Sequence, residues 1–226
     1  MVVNFNWPLH QLDIKNAFLN GDLEDEVFMN LLPRFEEKLG SNKVCKLKNS
    51  LYGLKQSPRT WFERFGKAVR NCGYCQSQAD HTMFYKHSKD GKIAILIVYV
   101  DDIVLIGSKE ELERLKRRLV AEFEIKDLGA LNYFLGMEFA RSKEGIFVNQ
   151  HKYVLDLLGE TGQLSYKPTE TPIEPNIKLL SSKNDEVKDK EQYQRLVRRQ
   201  IYLSYMHPDI AFIVSIVSQF MQQKTL

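Results

Sequence analysis

Cysteine is scarce in this 226-residue chain: there are three, an odd number, and no secretory signal accompanies them. That combination argues against a disulfide framework and for a reducing, intracellular setting. Long hydrophobic runs are missing too. The longest, Ile93 to Val100, falls far short of the roughly 20 residues a membrane-spanning helix needs, and nothing suggests lipidation, so no membrane partner is expected. Internal repeats and low-complexity tracts are absent. So are the GxGxxG and P-loop patterns, which removes the common glycine-rich nucleotide cradles. Cys72 and Cys75 have CxxC spacing, with His81 and His87 downstream, but no second tight pair follows. Zinc is therefore not expected. Cys45 is expected to be a buried small hydrophobe.

Apolar residues make up 43% of the chain, enough for a sizeable core, and charged residues 27%, which is not a disordered composition. The net charge of +3 says little about partners. Its distribution says more. Residues 1–30 carry five acids and one base, whereas residues 43–70 carry eight bases and one acid, Glu63. A cationic stretch beside an acidic one suits an enzyme that holds polyphosphate next to a divalent metal. It equally suits a solvated helix face.

The pattern along the chain predicts a strand over Leu9–Ile14, a turn over Asn16–Gly21 and an edge strand over Lys43–Lys48. Ser57-Pro58 opens a helix reaching about Asn71, with Ser57 accepting from a free N–H and Trp61, Phe62, Phe65, Ala68 and Val69 on one face. Thr82–Tyr85 and Lys92–Val100 are expected to pair around the turn Ser88-Lys89-Asp90-Gly91, and Ile103–Ile106 follows as a strand. Ser108 with Glu111 reads as a capping box for a helix buried through Leu112, Leu115, Leu119 and Phe123. Strands over Tyr133–Phe139 and Ile146–Asn149 and a helix over 153–160 come next. A proline-bearing linker and helices over about 191–205 and 208–222 complete the pattern. Hairpins mixed with helices imply an α+β fold with an antiparallel sheet.

The sharpest local feature is the apolar run that meets Asp101-Asp102 and resumes with Ile103. Two adjacent acids can form a plain two-residue hairpin loop, solvated and idle. They can also face a shared cation, since adjacent carboxylates repel and Mg²⁺ favours one or two carboxylates with phosphate and water. A third acid would then come from a neighbouring strand, and Asp13, near the end of Leu9–Ile14, is the candidate; a cap for the following turn is its other reading.

Several segments together resemble one family. Leu12-Asp13-Ile14-Lys15-Asn16-Ala17-Phe18 resembles motif A of copia-type LTR retrotransposon reverse transcriptases. Leu51-Tyr52-Gly53-Leu54-Lys55-Gln56-Ser57-Pro58 resembles their motif B, Tyr99-Val100-Asp101-Asp102 motif C, and Phe134-Leu135-Gly136-Met137-Glu138 motif E. The tail, from Lys167-Pro168 through Pro208-Asp209-Ile210 to Val217-Ser218-Gln219-Phe220-Met221, is similar to the region after the palm. The resemblance covers almost the whole chain in the family's order.

The resemblance implies RNA-directed DNA polymerisation on a polymerase palm. The palm would span residues 1–163, a linker 164–190 and a small helical thumb-like or connection segment 191–226. It implies two Mg²⁺ (or Mn²⁺) ions on Asp13, Asp101 and Asp102, with the backbone carbonyl of Ile14 as a further contact. It puts Phe18 at the steric gate beneath the sugar, though a buried core phenylalanine fits that residue as well. Gly53, Gln56, Ser57 and Pro58 would lie at the nascent base pair and template, Tyr99 and Val100 under the primer end, Leu135-Gly136-Met137 along the primer backbone, and Lys126 near the pyrophosphate. The implied partners are an RNA or DNA template-primer, deoxynucleotides, and fingers and RNase H regions outside this chain, within a cytoplasmic retrotransposon particle. A catalytically inactive retroelement relic, at most a weak nucleic-acid binder through residues 43–70, is the alternative. Two departures stand out: Leu32-Pro33-Arg34 where the family usually has Pro-Gly, and Arg198 where glycine is usual, which questions the packing of the penultimate helix.

Overall fold

The computed structural model describes residues 7–35, 40, 43–88, 91–173 and 189–222. The chain divides into two compact units, Met1–Leu131 and Asn132–Leu226. That division falls inside the stretch the sequence assigns to one palm.

The first unit is built on a six-stranded antiparallel sheet. Its strands are β1 (Leu9–Ile14), β4 (Cys75–Gln76), β5 (Met83–His87), β6 (Ile93–Tyr99), β7 (Asp102–Ile106) and β8 (Ile125–Ala130), in spatial order β4-β5-β6-β7-β1-β8. A separate ribbon pairs β2 (Phe28–Asn30) with β3 (Val44–Lys46). Two helices pack against the sheet, α1 (Ser57–Asn71) and α2 (Lys109–Val120). Alternation along each strand sends one set of side chains into the core. Leu12 and Ile14 of β1, Ala94, Leu96 and Val98 of β6, and Ile103 and Leu105 of β7 all belong to it. Trp61, Phe65, Ala68 and Val69 of α1 and Leu112, Leu115, Leu119 and the following Phe123 close the same core from the helix side. Aromatic edges organise its centre: Trp61 meets Phe123 nearly perpendicularly at 5.3 Å and Phe65 lies 5.7 Å from Phe123.

Three sequence expectations need correction here. Ser57 does not cap α1 as an acceptor; Gln56 is the cap residue, without a side-chain bond, and the buried Ser57 hydroxyl donates to the Leu51 carbonyl at 2.5 Å. The motif B turn is thereby fastened to the helix it opens. The capping box of α2 is half-formed. Ser108 accepts from the Glu111 N–H, but the Glu111 carboxylate turns to Lys86 and Arg114 instead. Cys45 is exposed, as are Val44 and Lys46 beside it in β3. Strands β2, β4 and β8 were not anticipated. Each is short or polar, and β8 (Ile-Lys-Asp-Leu-Gly-Ala) lacks the alternation that marks a strand. Lys89 and Asp90 of the expected hairpin turn lie outside the described residues, as do residues 174–188 of the expected linker.

The second unit pairs β9 (Tyr133–Phe134), β10 (Met137–Arg141) and β11 (Ile146–Asn149) in the order β11-β10-β9. Its helices are α3 (His151–Glu160), α4 (Lys190–Ser204) and α5 (Ala211–Ser218). The β9–β10 turn holds Leu135 and Gly136 at φ 49° and 79°, and the Tyr202 hydroxyl donates to the Leu135 carbonyl. A Cβ at Gly136 would lie 3.0 Å from the Tyr153 ring, so glycine serves both the backbone angle and the close approach. Arg198 does not disturb α4: it is exposed, while its neighbour Val197 is buried and the helix runs unbroken.

Candidate active site

The three acids come together through strand pairing. In the β1–β7 register Asp13 stands directly opposite Asp102, a spacing of about 4.5–5.5 Å between Cα atoms in any antiparallel ladder. The β6–β7 hairpin pairs Tyr99 with Asp102, so its two-residue turn is Val100-Asp101 and Asp102 is already the first residue of β7. The expected Asp-Asp loop is therefore shifted by one position. Asp101 is stapled to β1 as well, because the Ile14 N–H donates to its carbonyl at 2.9 Å.

Two side chains fix this end of the sheet. Val100 is held at φ 57°, a left-handed conformation that a β-branched residue adopts only under compulsion. The compulsion is visible: the indole Nε1–H of Trp61, a buried residue of α1, donates to the Val100 carbonyl at 2.7 Å. The Gln11 amide donates to Asp102 Oδ1 at 3.0 Å. Neither role was read from the sequence. Gln11 was legible in principle, two residues before Asp13 and hence on the same face of β1. Trp61 was not, since helical spacing marks it only as a core residue.

The carboxylates repel one another at this end of the sheet. The Asp13 carboxyl is pushed above its ordinary value, first by desolvation and then by Asp101 and Asp102, with Lys126 pulling the other way. Lys126 stands opposite Asp13 in the β1–β8 register. A bound cation would relieve that repulsion, and an all-oxygen donor set suits a hard divalent ion. The acids thus fit Mg²⁺ or Mn²⁺ in charge and in strand position. Their side chains are not gathered around an ion, however: among the described residues no group of three His, Cys, Asp or Glu is arranged to hold a metal.

Phe18 sits in the 3-10 turn Ala17–Asn20, packs against the core, and has its ring 4.9 Å from that of the exposed Tyr52. Its ring is thus half-buried, packed on the core on one side and beside Tyr52 on another. The Ser50 hydroxyl donates to the Phe18 carbonyl, tying motif A to the segment leading into motif B. Gly53 has φ 93° and open space where a Cβ would be, so its backbone angle, not crowding within the chain, requires glycine. Pro58 occupies the first turn of α1, where its missing N–H costs nothing. Part of the basic stretch is spent locally: Lys46 pairs with Glu26, Arg64 with Asp22 and Arg59 with Glu63.

Residues 1–175 match the family model described as reverse transcriptase (RNA-dependent DNA polymerase). The chain is similar to the Retrovirus-related Pol polyprotein from transposon RE1 of Arabidopsis thaliana, 38% identical over 226 residues, which cover 100% of this chain and 15% of that protein. It is similar to the Retrovirus-related Pol polyprotein from transposon TNT 1-94 of Nicotiana tabacum, 32% identical over 232 residues, covering 98% of this chain and 18% of the relative. A putative transposon Ty5-1 protein of Saccharomyces cerevisiae is 28% identical over 215 residues, covering 94% of this chain and 70% of its own length. The chain thus spans between 15% and 18% of the two Pol polyproteins. No helix among the described residues is long and apolar enough to cross a membrane.

Proposed function

Since this chain belongs to the reverse transcriptase (RNA-dependent DNA polymerase) family, we propose that it carries the palm of a copia-type retrotransposon polymerase and supplies the carboxylates for nucleotidyl transfer. The observation that carries this reading is the antiparallel pairing of Asp13 with Asp102, with Asp101 joined to Ile14 at the same end of the sheet. Asp13, Asp101 and Asp102 would hold the two divalent ions, with the Ile14 carbonyl as a further contact. Bound there, the ions would supply charge neutralisation for a primer 3′-oxygen and for a departing pyrophosphate. The chain's own residues orient and exclude. Trp61 and Gln11 hold the hairpin end and the Asp102 carboxylate in place. Phe18, braced by Tyr52, presents a ring where a sugar would lie and disfavours a 2′-hydroxyl. Gly53, Gln56, Ser57 and Pro58 form the turn that would meet the template base pair, and Lys126 would stand beside the triphosphate. The fingers and RNase H regions of a longer polyprotein, a template-primer and deoxynucleotides are the partners this reading requires.

The reading of an inactive relic has one observation in its favour: the three side chains are not gathered as a ligand set. Primer extension on an RNA template with Mg²⁺ or Mn²⁺ separates the two. Deoxynucleotide incorporation by the full chain, lowered by about 10² to 10³ or more in Asp101→Asn, is the expected result. Salt-sensitive nucleic-acid binding without any incorporation would favour the relic.

A further inference from the structure

The pairing of β1 with β8 contains a one-residue irregularity. Gln11 pairs with Gly129, but the next residue, Leu12, pairs with Asp127, so Leu128 is an extra residue in β8. Beyond this bulge Asp13 faces Lys126 and Ile14 faces Ile125. Side chains alternate along a strand, so a register without the bulge changes every assignment. Continuing regularly from the Gln11–Gly129 pair, Asp127 would stand opposite Asp13 and Lys126 opposite Ile14, a fully buried core residue. An acid would then adjoin the three carboxylates, and a lysine would enter the apolar layer.

One carboxylate bonds both to the backbone of the bulge and to α2. Asp127 Oδ1 accepts from the Gly129 N–H at 2.8 Å, and Gly129 has φ 80°, with open space where a Cβ would be. Asp127 Oδ2 takes the ammonium of Lys116 at 2.8 Å. Lys116 is a buried lysine on α2, and its remaining contacts are His10 Nδ1 at 3.1 Å and Glu113 at 3.4 Å. His10 lies on β1, so the one ammonium ties α2 to both strands on either side of the irregularity. A buried ammonium with three partners is a fixed point, since losing an acidic partner weakens the compensation of a charge held out of water.

We propose that Asp127 and Lys116 are positioning residues that lock the Leu128 bulge, so that the side chain set against Asp13 is the cation Lys126. This rests on the reading of Asp13 as a metal carboxylate; the register part stands without it. A divalent-ion site that must also accept a triphosphate gains from a cation at its edge, and the bulge delivers one from a strand whose next residue is an acid.

The test uses the full chain, isotopically labelled, with backbone cross-strand NOEs as the register readout and primer extension as the activity readout. Wild type shows NOEs between residues 13 and 126. Asp127→Ala and Lys116→Met lose them, and incorporation falls by about tenfold to a hundredfold. Asp127→Asn, which keeps an acceptor for Gly129 and gives up only the charge, carries the same comparison should the alanine variant not fold. Deleting Leu128 in the Asp127→Ala background removes the extra residue, lets Gly129 become extended, and restores the 13–126 contact together with the activity. A merely structural clamp would not be rescued by that deletion. Retention of the 13–126 NOEs in Asp127→Ala or Lys116→Met overturns the proposal, as does failure of the deletion to restore them. If wild type incorporates nothing while the NOEs follow the stated pattern, the polymerase reading fails and the register device stands.

Discussion

The two faces of the six-stranded sheet obey different rules. The helix-side face is closed: Leu12, Ile14, Leu96, Ile103 and Leu105 are essentially inaccessible beneath α1 and α2. On the opposite face Gln11, Asp13, Asp102 and Lys126 stand at the end of the same strands. Neighbouring residues of one strand therefore serve stability and chemistry in alternation, which is why a single bulge or a shifted turn matters so much here. The difference teaches where substitutions should separate folding from function.

The largest stability effect is expected on the closed face. Leu105→Ala should cost about 2–5 kcal/mol, read from denaturant unfolding. A similar loss from Gln11→Ala would erase the contrast between faces. Next comes the loss of transition-state stabilisation on the open face. Asp101→Asn should reduce incorporation by about 10² to 10³ or more, with unfolding hardly changed. Trp61→Phe straddles the two faces. It keeps a ring in the core but leaves the Val100 carbonyl without its donor, at a cost of about 1–3 kcal/mol. Hydrogen exchange should accelerate around residues 99–102 in that variant, beyond what its global stability explains.

The smallest effects concern pH. The Asp13 carboxyl is raised in the fold, so its contribution favours the protein at low pH and is lost as pH climbs through the folded value. Asp13→Asn should therefore leave the neutral-pH Tm unchanged or raise it by about 1–3 °C. On the closed face the sign reverses. His10 is lowered by burial first and then by Lys116, and Asp127 is lowered by its bond from Lys116. Both contribute stability present above their unfolded values of 6.5 and 3.8 and lost as pH falls through the folded ones. His10→Gln should flatten the upper part of that acid limb, and a thermal melt series from pH 7 to about pH 4 checks it.

Much of this was legible in the sequence because it was written in periodicity. The aromatic stripe of α1, the leucine stripe of α2 and the β6–β7 run all formed where expected, and two acids flanked by strands pointed to a sheet end. What stayed hidden is physical and specific. Strand β8 is polar and bulged, so it carries no alternating signal, and Lys126 could not be placed against Asp13 without it. The Trp61–Val100 bond joins residues 39 positions apart, and nothing local encodes it. The β9–β10 turn stayed hidden as well: Tyr133–Phe139 reads as one strand, whereas Leu135 and Gly136 break it into two.

The most direct test of the central claim is an electron paramagnetic resonance titration of Mn²⁺ into the full chain and into its Asp13→Asn and Asp101→Asn variants. The convergent carboxylates predict a saturable site in wild type whose saturation moves to higher Mn²⁺ in each variant. Identical titration curves for all three proteins would contradict it.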